Sequence, residues 1–137
     1  MNRKIVNEFT YNCDSLCVKT AADGGGAVTV TVAGPLSLKS VLRLLADIER
    51  KVIGPVKVLL LDLSHAVLMF GQEAAVSLCD RCTGIALLRL PIVVVAPWSD
   101  AESSLAYQTE SALRGVIRRV FCDATSACRW VRDYLQH

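Results

Sequence analysis

Hydrophobic and polar positions change period several times along this chain. Residues 27–33 alternate apolar side chains with threonines, which is typical of a half-buried strand. Residues 16–21 give a second strand, and Asp23 with three following glycines supplies the turn of a hairpin. From Leu38 to Val52, apolar residues recur at spacings of three and four. This spacing predicts an amphipathic helix, capped by the hydroxyl of Ser37.

Strands and helices continue to alternate after this helix. Near-continuous apolar runs predict strands, while capping residues and helical periods predict helices. The predicted strands are 56–63, 91–96 and 117–121, and the predicted helices are 72–83, 99–114 and a last one capped by Asp123. Residues 85–90 fit either a loop or a helical extension. The expected inward face of helix 99–114 comprises Ala101, Leu105, Ala106, Thr109, Ala112 and Leu113, and that of the last helix comprises Ala127, Cys128, Val131, Tyr134 and Leu135.

The resulting order, β-β-α-β-α-β-α-β-α, predicts an α/β fold. We expect a four- to five-stranded, mostly parallel sheet with an antiparallel edge hairpin. The 137 residues fit one domain, which we place at 15–137, with 1–14 as an edge or flexible segment.

The composition and net charge indicate where the protein is expected in the cell and which classes of partner are expected. The chain is 53% hydrophobic with a mean hydropathy of +0.40, which indicates a well-filled core or an apolar surface that meets a partner. No apolar run approaches 18 residues and no signal peptide is recognisable, so we expect a cytoplasmic protein without a membrane span. The net charge of +2, without a nucleic-acid motif, argues against nucleic acid. The late arginines are expected on a solvated face: Arg114, Arg118, Arg119, Arg129 and Arg132.

The cysteines and the single internal histidine raise the question of catalysis or metal binding. Cys79 and Cys82 have redox or zinc spacing, but they lie well inside a predicted helix on its apolar stripe. A zinc site would need two further ligands, such as Cys13 and Cys17. We therefore expect six structural, reduced thiols, with no metal and no cofactor.

Asp62, Ser64 and His65 follow the buried run 56–63. They contain the residue types of a catalytic triad, but there is no G-x-S-x-G elbow around Ser64. In parallel α/β folds, ligands and partners meet the carboxyl ends of strands. We expect these residues to form a contact tip rather than a catalytic centre, and the chain not to be an enzyme.

Three segments together resemble the STAS domains of bacterial anti-sigma-factor antagonists. VTVTVAGPLS at 28–37 is similar to the approach to the family's first helix, and DLS at 62–64 with Met69 is similar to its central strand. VFCD at 120–123, followed by Ala127 and Trp130, resembles the closing pattern, and the tryptophan points to the SpoIIAA-like, Sec14-related branch. The element order from Leu16 onwards also resembles that of the family.

The resemblance breaks at the regulatory motif. The family's DSSG tetrapeptide, whose first serine is the phosphorylation switch, aligns with Phe70, Gly71, Gln72 and Glu73. Glycine cannot accept a phosphate, so the resemblance implies the fold without the usual switch. Glu73 places a fixed negative charge nearby, which suggests the hypothesis of a permanently acidic mimic.

Two functions are consistent with these sequence features and with the resemblance. The first is a non-enzymatic STAS-like interaction module that docks an anti-sigma, kinase-like or other signalling protein, or a copy of itself. The alternative is a small-molecule or lipid-binding domain of the SpoIIAA/Sec14-like kind. The expected partner-binding residues are Ser37, Asp62, Ser64, His65, Phe70, Gly71, Gln72, Glu73 and Trp98.

Overall fold

A computed structural model describes residues 7–13, 16–22, 25–51, 55–70, 86–96 and 101–136. The strands are β1 (Asn7–Cys13), β2 (Leu16–Ala22), β3 (Ala27–Leu36), β4 (Val58–Leu68), β5 (Ile92–Val95) and β6 (Arg118–Phe121). The helices are α1 (Leu38–Lys51), α2 (Ala101–Leu113) and α3 (Ala124–Leu135), with a 3₁₀ helix at Ala86–Arg89. The predicted helix 72–83 lies outside the described residues.

The strands form one six-stranded sheet in which neighbours in sequence are neighbours in space, from β1 to β6. β1, β2 and β3 pair antiparallel, whereas β3, β4, β5 and β6 pair parallel. The predicted α/β fold with an antiparallel edge is confirmed. The sheet has more strands than predicted because Asn7–Cys13 adds an outermost strand.

This strand order determines which face of the sheet each helix covers. Right-handed crossovers between parallel strands taken in sequence all return over the same face. The connections from β3 to β6 accordingly place α1, the 3₁₀ helix and α2 on one side. α3 follows the last strand, so it is free to pack on the other side, where it contacts β4, β5 and β6.

α1 supplies the larger core. The Ser37 hydroxyl accepts a 3.1 Å bond from the Ser40 amide, as the sequence predicts, and begins the helix. Val41, Leu45 and Ile48 are buried, as expected from their spacing. They pack with alternate residues of the strands, and the core of this face includes Leu16, Val18, Val28, Val30, Val32, Leu59, Leu61, Ile92 and Val94.

α3 forms a smaller core on the opposite face. Ala127 and Val131 are buried against Val58, Leu60 and Val93, as the predicted helix face requires. Cys128, predicted on that face, is exposed, so its predicted burial is wrong; Cys17 and Cys122 are exposed free thiols as well.

Two predictions about the carboxyl-terminal half are wrong. α2 buries Tyr107 and Ser111, whereas Leu105 and Leu113 are exposed. Its segment carries apolar residues on several sides, so the periodicity predicts the wrong inward face. Tyr107 packs against Phe70 and Val120 and ties α2 to the core.

Arg118, expected on a solvated face, is only 3% exposed. Its guanidinium donates to the carbonyls of Leu88 (2.6 Å), Leu90 (2.8 Å) and Ile117 (3.1 Å). A buried charge is tolerated when its donors are satisfied in this way. At the other end of the 3₁₀ helix, Glu49 of α1 accepts a 3.2 Å bond from the Leu87 amide. Opposite charges thus bracket the 3₁₀ helix at the ends that its dipole favours.

Arg118→Met should lower the free energy of unfolding by about 3 kcal/mol, because it leaves buried carbonyls without their donors. Urea denaturation measures this change. Arg132→Met is the matched control. Arg132 is exposed, and its Nε lies 3.8 Å from Asp133 Oδ1, which is a weak surface ion pair. This substitution should change the free energy of unfolding by about 0.5 kcal/mol or less. Equal effects of the two substitutions would contradict the role of Arg118.

Asp123 caps α3, as predicted. Its carboxylate accepts a 2.7 Å bond from the Ser126 amide and a 3.0 Å bond from the Ser126 hydroxyl. These bonds, with a smaller contribution from Arg129, hold the pKa of Asp123 below its ordinary value of 3.8.

Within the described residues, no helix is long and apolar enough to cross a membrane.

The lowered pKa predicts the direction of a pH dependence. The charged Asp123 stabilises the fold above its unfolded pKa, and this contribution is lost as the pH falls through the lowered folded pKa. Asp123→Asn keeps a capping oxygen without the charge. Wild type should therefore be more stable than the variant at pH 6, and the difference in unfolding free energy should shrink on acidification below 3.8. A difference that stays constant into acid would contradict this assignment.

Candidate functional site

β4 extends beyond its neighbour β5 at the carboxyl end of the sheet. The last residue pair between them is Asp62 with Val95, whereas β4 continues beside β3 until Leu68 pairs with Leu36. The predicted strand end at residue 63 is therefore wrong. Asp62, Ser64 and His65 lie within a strand and not on a terminal tip. We call residues 63–68, together with Met69, the β4 extension.

A β-bulge begins the β4 extension. Thr31 pairs with Asp62 and Ala33 pairs with His65, so β4 has one residue more than β3 between these two pairs. Asp62 Oδ1 accepts a 3.1 Å bond from the Ser64 amide and a 2.5 Å bond from the Ser64 hydroxyl. The carboxylate thus binds the amide at the point where the strand pairing is interrupted.

The bulge reverses which residues of β4 face the α1 core. Leu61 and Leu63 are buried in that core before it, and Ala66 belongs to the same core after it. Ser64 and His65 are consecutive and both exposed. One extra residue therefore keeps apolar side chains on the core side over the full length of the strand, and turns the intervening positions outward.

The outward positions of the β4 extension carry large apolar side chains. Val67 is 60% exposed and Met69 is 65% exposed. Val67 pairs with Pro35 of β3, which is also exposed, and the Met69 amide donates a 2.9 Å bond to the Leu36 carbonyl. The exposed side chains are thus held on a backbone that is paired to the sheet.

The structure brings Ser37, Asp62, Ser64, His65 and Phe70 to the same end of the sheet. Ser37 serves as the α1 cap, and its hydroxyl lies 3.0 Å from that of Ser40. Phe70, predicted as a contact residue, is partly buried against the α1 core and Tyr107. Four predicted contact residues lie outside the described residues: Gly71, Gln72, Glu73 and Trp98.

Val67 and Met69 were missed as contact residues because the sequence pattern places the strand end before them. The adjacent polar residues Ser64 and His65 were the available signal, since they interrupt an otherwise apolar run within residues 58–68. Two successive polar positions inside a strand fit a bulge as well as a strand end. Only the pairing with β3 distinguishes these alternatives.

The Ser64 hydroxyl takes part in a hydrogen bond to Asp62. The Ser64 hydroxyl donates to the Asp62 carboxylate, which also accepts from the Ser64 amide, and this is the arrangement of a local turn.

Across the described part of the chain, no group of three or more His, Cys, Asp or Glu side chains could hold a metal ion. Cys79 and Cys82 lie outside that part.

Comparison with known proteins adds no assignment to this geometry. No family model matches the chain, and a search of the curated proteins finds no match.

Asp62→Ala should lower the free energy of unfolding by about 1 kcal/mol, because the Ser64 amide and hydroxyl both lose their acceptor. Asp62→Asn, which keeps an acceptor oxygen at the same place, should lose less than half as much. Urea denaturation measures stability, and amide hydrogen exchange at Ser64 reports the bond directly. Unchanged exchange in Asp62→Ala would show that the carboxylate does not hold the bulge.

Proposed function

We propose that this chain is a non-enzymatic, cytoplasmic protein-interaction module that docks a partner protein through the β4 extension. The observation that carries the proposal is the exposure of Val67 and Met69 on a backbone fixed by β3. Exposed apolar side chains at alternate positions, rimmed by polar Ser64 and His65, have the composition of a protein contact. Because the strand is already ordered, binding would cost little conformational entropy.

The distribution of apolar residues favours docking over the binding of a lipid or small molecule. The inward side chains of α1 and α3 fill two cores against opposite faces of the sheet. These side chains are therefore used in packing. The apolar side chains that remain accessible on the β4 extension, Val67 and Met69, are exposed to solvent beyond the end of β5.

The resemblance to STAS domains supplies the class of partner, an anti-sigma, kinase-like or other signalling protein. Two features support regulation without a phosphoserine. Gly71 stands at the phosphoacceptor position of the family motif. The Ser64 hydroxyl lies 2.5 Å from the Asp62 carboxylate, so a phosphate there would meet a like charge.

Val67→Asp and Met69→Asp should each lower the retention of a docked partner by about tenfold or more, because each places a charge in a desolvated contact. The measurement is quantitative affinity capture from native lysate with wild-type and variant baits. The expected result is a stoichiometric protein that the wild type retains and both variants lose.

Leu113→Asp is the matched control. Leu113 is more exposed than either residue, at 77%, and lies at the end of α2, which returns to the opposite end of the sheet. It should retain the partner at the wild-type level. Equal losses in all three variants, or a bound lipid or nucleotide without a protein partner, would overturn the proposal.

A further inference from the structure

The β4 extension carries an accessible thioether. Met69 is the one methionine of the chain besides Met1, and 65% of its side chain is exposed. The methionine sulfur reacts with peroxides to give a sulfoxide, and a reductase reverses this reaction. A small oxidant can therefore reach a sulfur atom within the β4 extension.

The packing around Met69 keeps its side chain out of the core. The Met69 amide donates a 2.9 Å bond to the Leu36 carbonyl. The neighbours on either side, Leu68 and Phe70, are partly buried and pack against the α1 core. Since successive side chains of extended backbone point to opposite faces, Met69 is directed away from that core. Its exposure thus follows from the packing of its neighbours.

Met69 shares its outward direction with Val67, which is 60% exposed. Residues two apart in extended backbone lie on the same face. The thioether therefore belongs to one of the two large apolar side chains that carry the docking proposal.

We propose that Met69 is a reversible oxidation site, and that its sulfoxide releases the docked partner. The proposal rests on the docking function of the β4 extension and names its regulation. The oxidant is a hydroperoxide, such as hydrogen peroxide.

The oxidation is a transfer of one oxygen atom. A lone pair of the Met69 sulfur attacks a peroxide oxygen, the O–O bond breaks, and an S–O bond forms. The sulfur is oxidised by the loss of this electron pair, and the departing hydroxide takes the proton of the transferred hydroxyl and leaves as water. In the reverse direction, a methionine sulfoxide reductase uses a dithiol, which becomes a disulfide, and the oxygen leaves as water.

The sulfoxide changes the contact without changing the fold. Its oxygen is a polar acceptor that loses its water when a partner covers it, and an apolar contact offers no donor in return. The retention of the partner should fall by about tenfold. Because the side chain faces solvent in the free protein, the midpoint of urea unfolding should not change.

Treatment of the full chain with hydrogen peroxide tests the site directly. Peptide mass spectrometry should find Met69 oxidised at a rate within about threefold of that of free methionine, since its sulfur is accessible. A rate slower by about tenfold or more would overturn the proposal. So would a fall in the urea midpoint that wild type shows after oxidation and Met69→Leu does not.

The exposed thiols of Cys17, Cys122 and Cys128 also react with peroxide. Dithiothreitol added after the peroxide reduces disulfides and sulfenic acids but leaves methionine sulfoxide in place. Met69→Leu keeps all the cysteines and lacks the sulfur, so it is the matched control for any thiol oxidation that remains.

Partner capture from desalted native lysate tests the switch. Each bait is oxidised, treated with dithiothreitol and compared with the same bait before oxidation, so that any direct effect of leucine on docking cancels. Wild type should lose the partner on oxidation and regain it after incubation with the two methionine sulfoxide reductases, one for each sulfoxide epimer. Met69→Leu should show no change with peroxide.

The possible failures are distinguishable. Oxidised wild type that keeps the partner, or that does not regain it after reduction of the sulfoxide, would overturn the switch and leave docking in place. Equal losses in wild type and Met69→Leu would assign the effect to other residues. Untreated wild type that captures no partner would overturn the docking function, and the switch with it.

Discussion

The β-bulge of β4, where the Ser64 amide donates a hydrogen bond to the Asp62 carboxylate, sets the arrangement of the carboxyl-terminal half of the strand. Side chains of a strand alternate between faces, so one inserted residue exchanges the two sets. Here the exchange places Ala66 and Leu68 over α1 and turns His65 and Val67 outward. The core of the larger face and the exposed apolar row beside it are two results of the same insertion. A regular strand could not satisfy both, because residues 64–68 would then present their apolar members to the wrong sides.

The charged side chains around the 3₁₀ helix bind its backbone groups on the face of the sheet that α1 covers. A short helix between two strands leaves backbone groups at its ends without partners inside the helix. Glu49 from α1 accepts from its amino end, and Arg118 from β6 donates to carbonyls at its carboxyl end. Both side chains come from elements that are distant in sequence. The position of the 3₁₀ helix therefore depends on α1 and β6 being in place.

Sequence reasoning succeeds here where the determinant is local. The caps at Ser37 and Asp123 act within three residues, and the hairpin of β2 and β3 follows from alternation and a glycine-rich turn. It fails where the determinant is a distant backbone. Arg118 was expected in solvent because nothing in its neighbourhood shows the carbonyls it meets, and α2 was assigned the wrong face because its apolar residues give no single stripe. The end of β4 was misplaced for the same reason, since β3 alone decides where pairing stops.

The order of the strands also has a consequence for how the chain folds. In the first three strands, partners are close in sequence, as with Asn7 and Ala22. In the parallel half, Leu59 must find Ile92 and Ile92 must find Arg118. Closing the longer loops costs more entropy before any contact compensates for it. The antiparallel meander therefore closes its pairings over shorter loops than the parallel half of the sheet, which makes the pairing of β4, β5 and β6 the part of the fold with the larger entropic cost of loop closure.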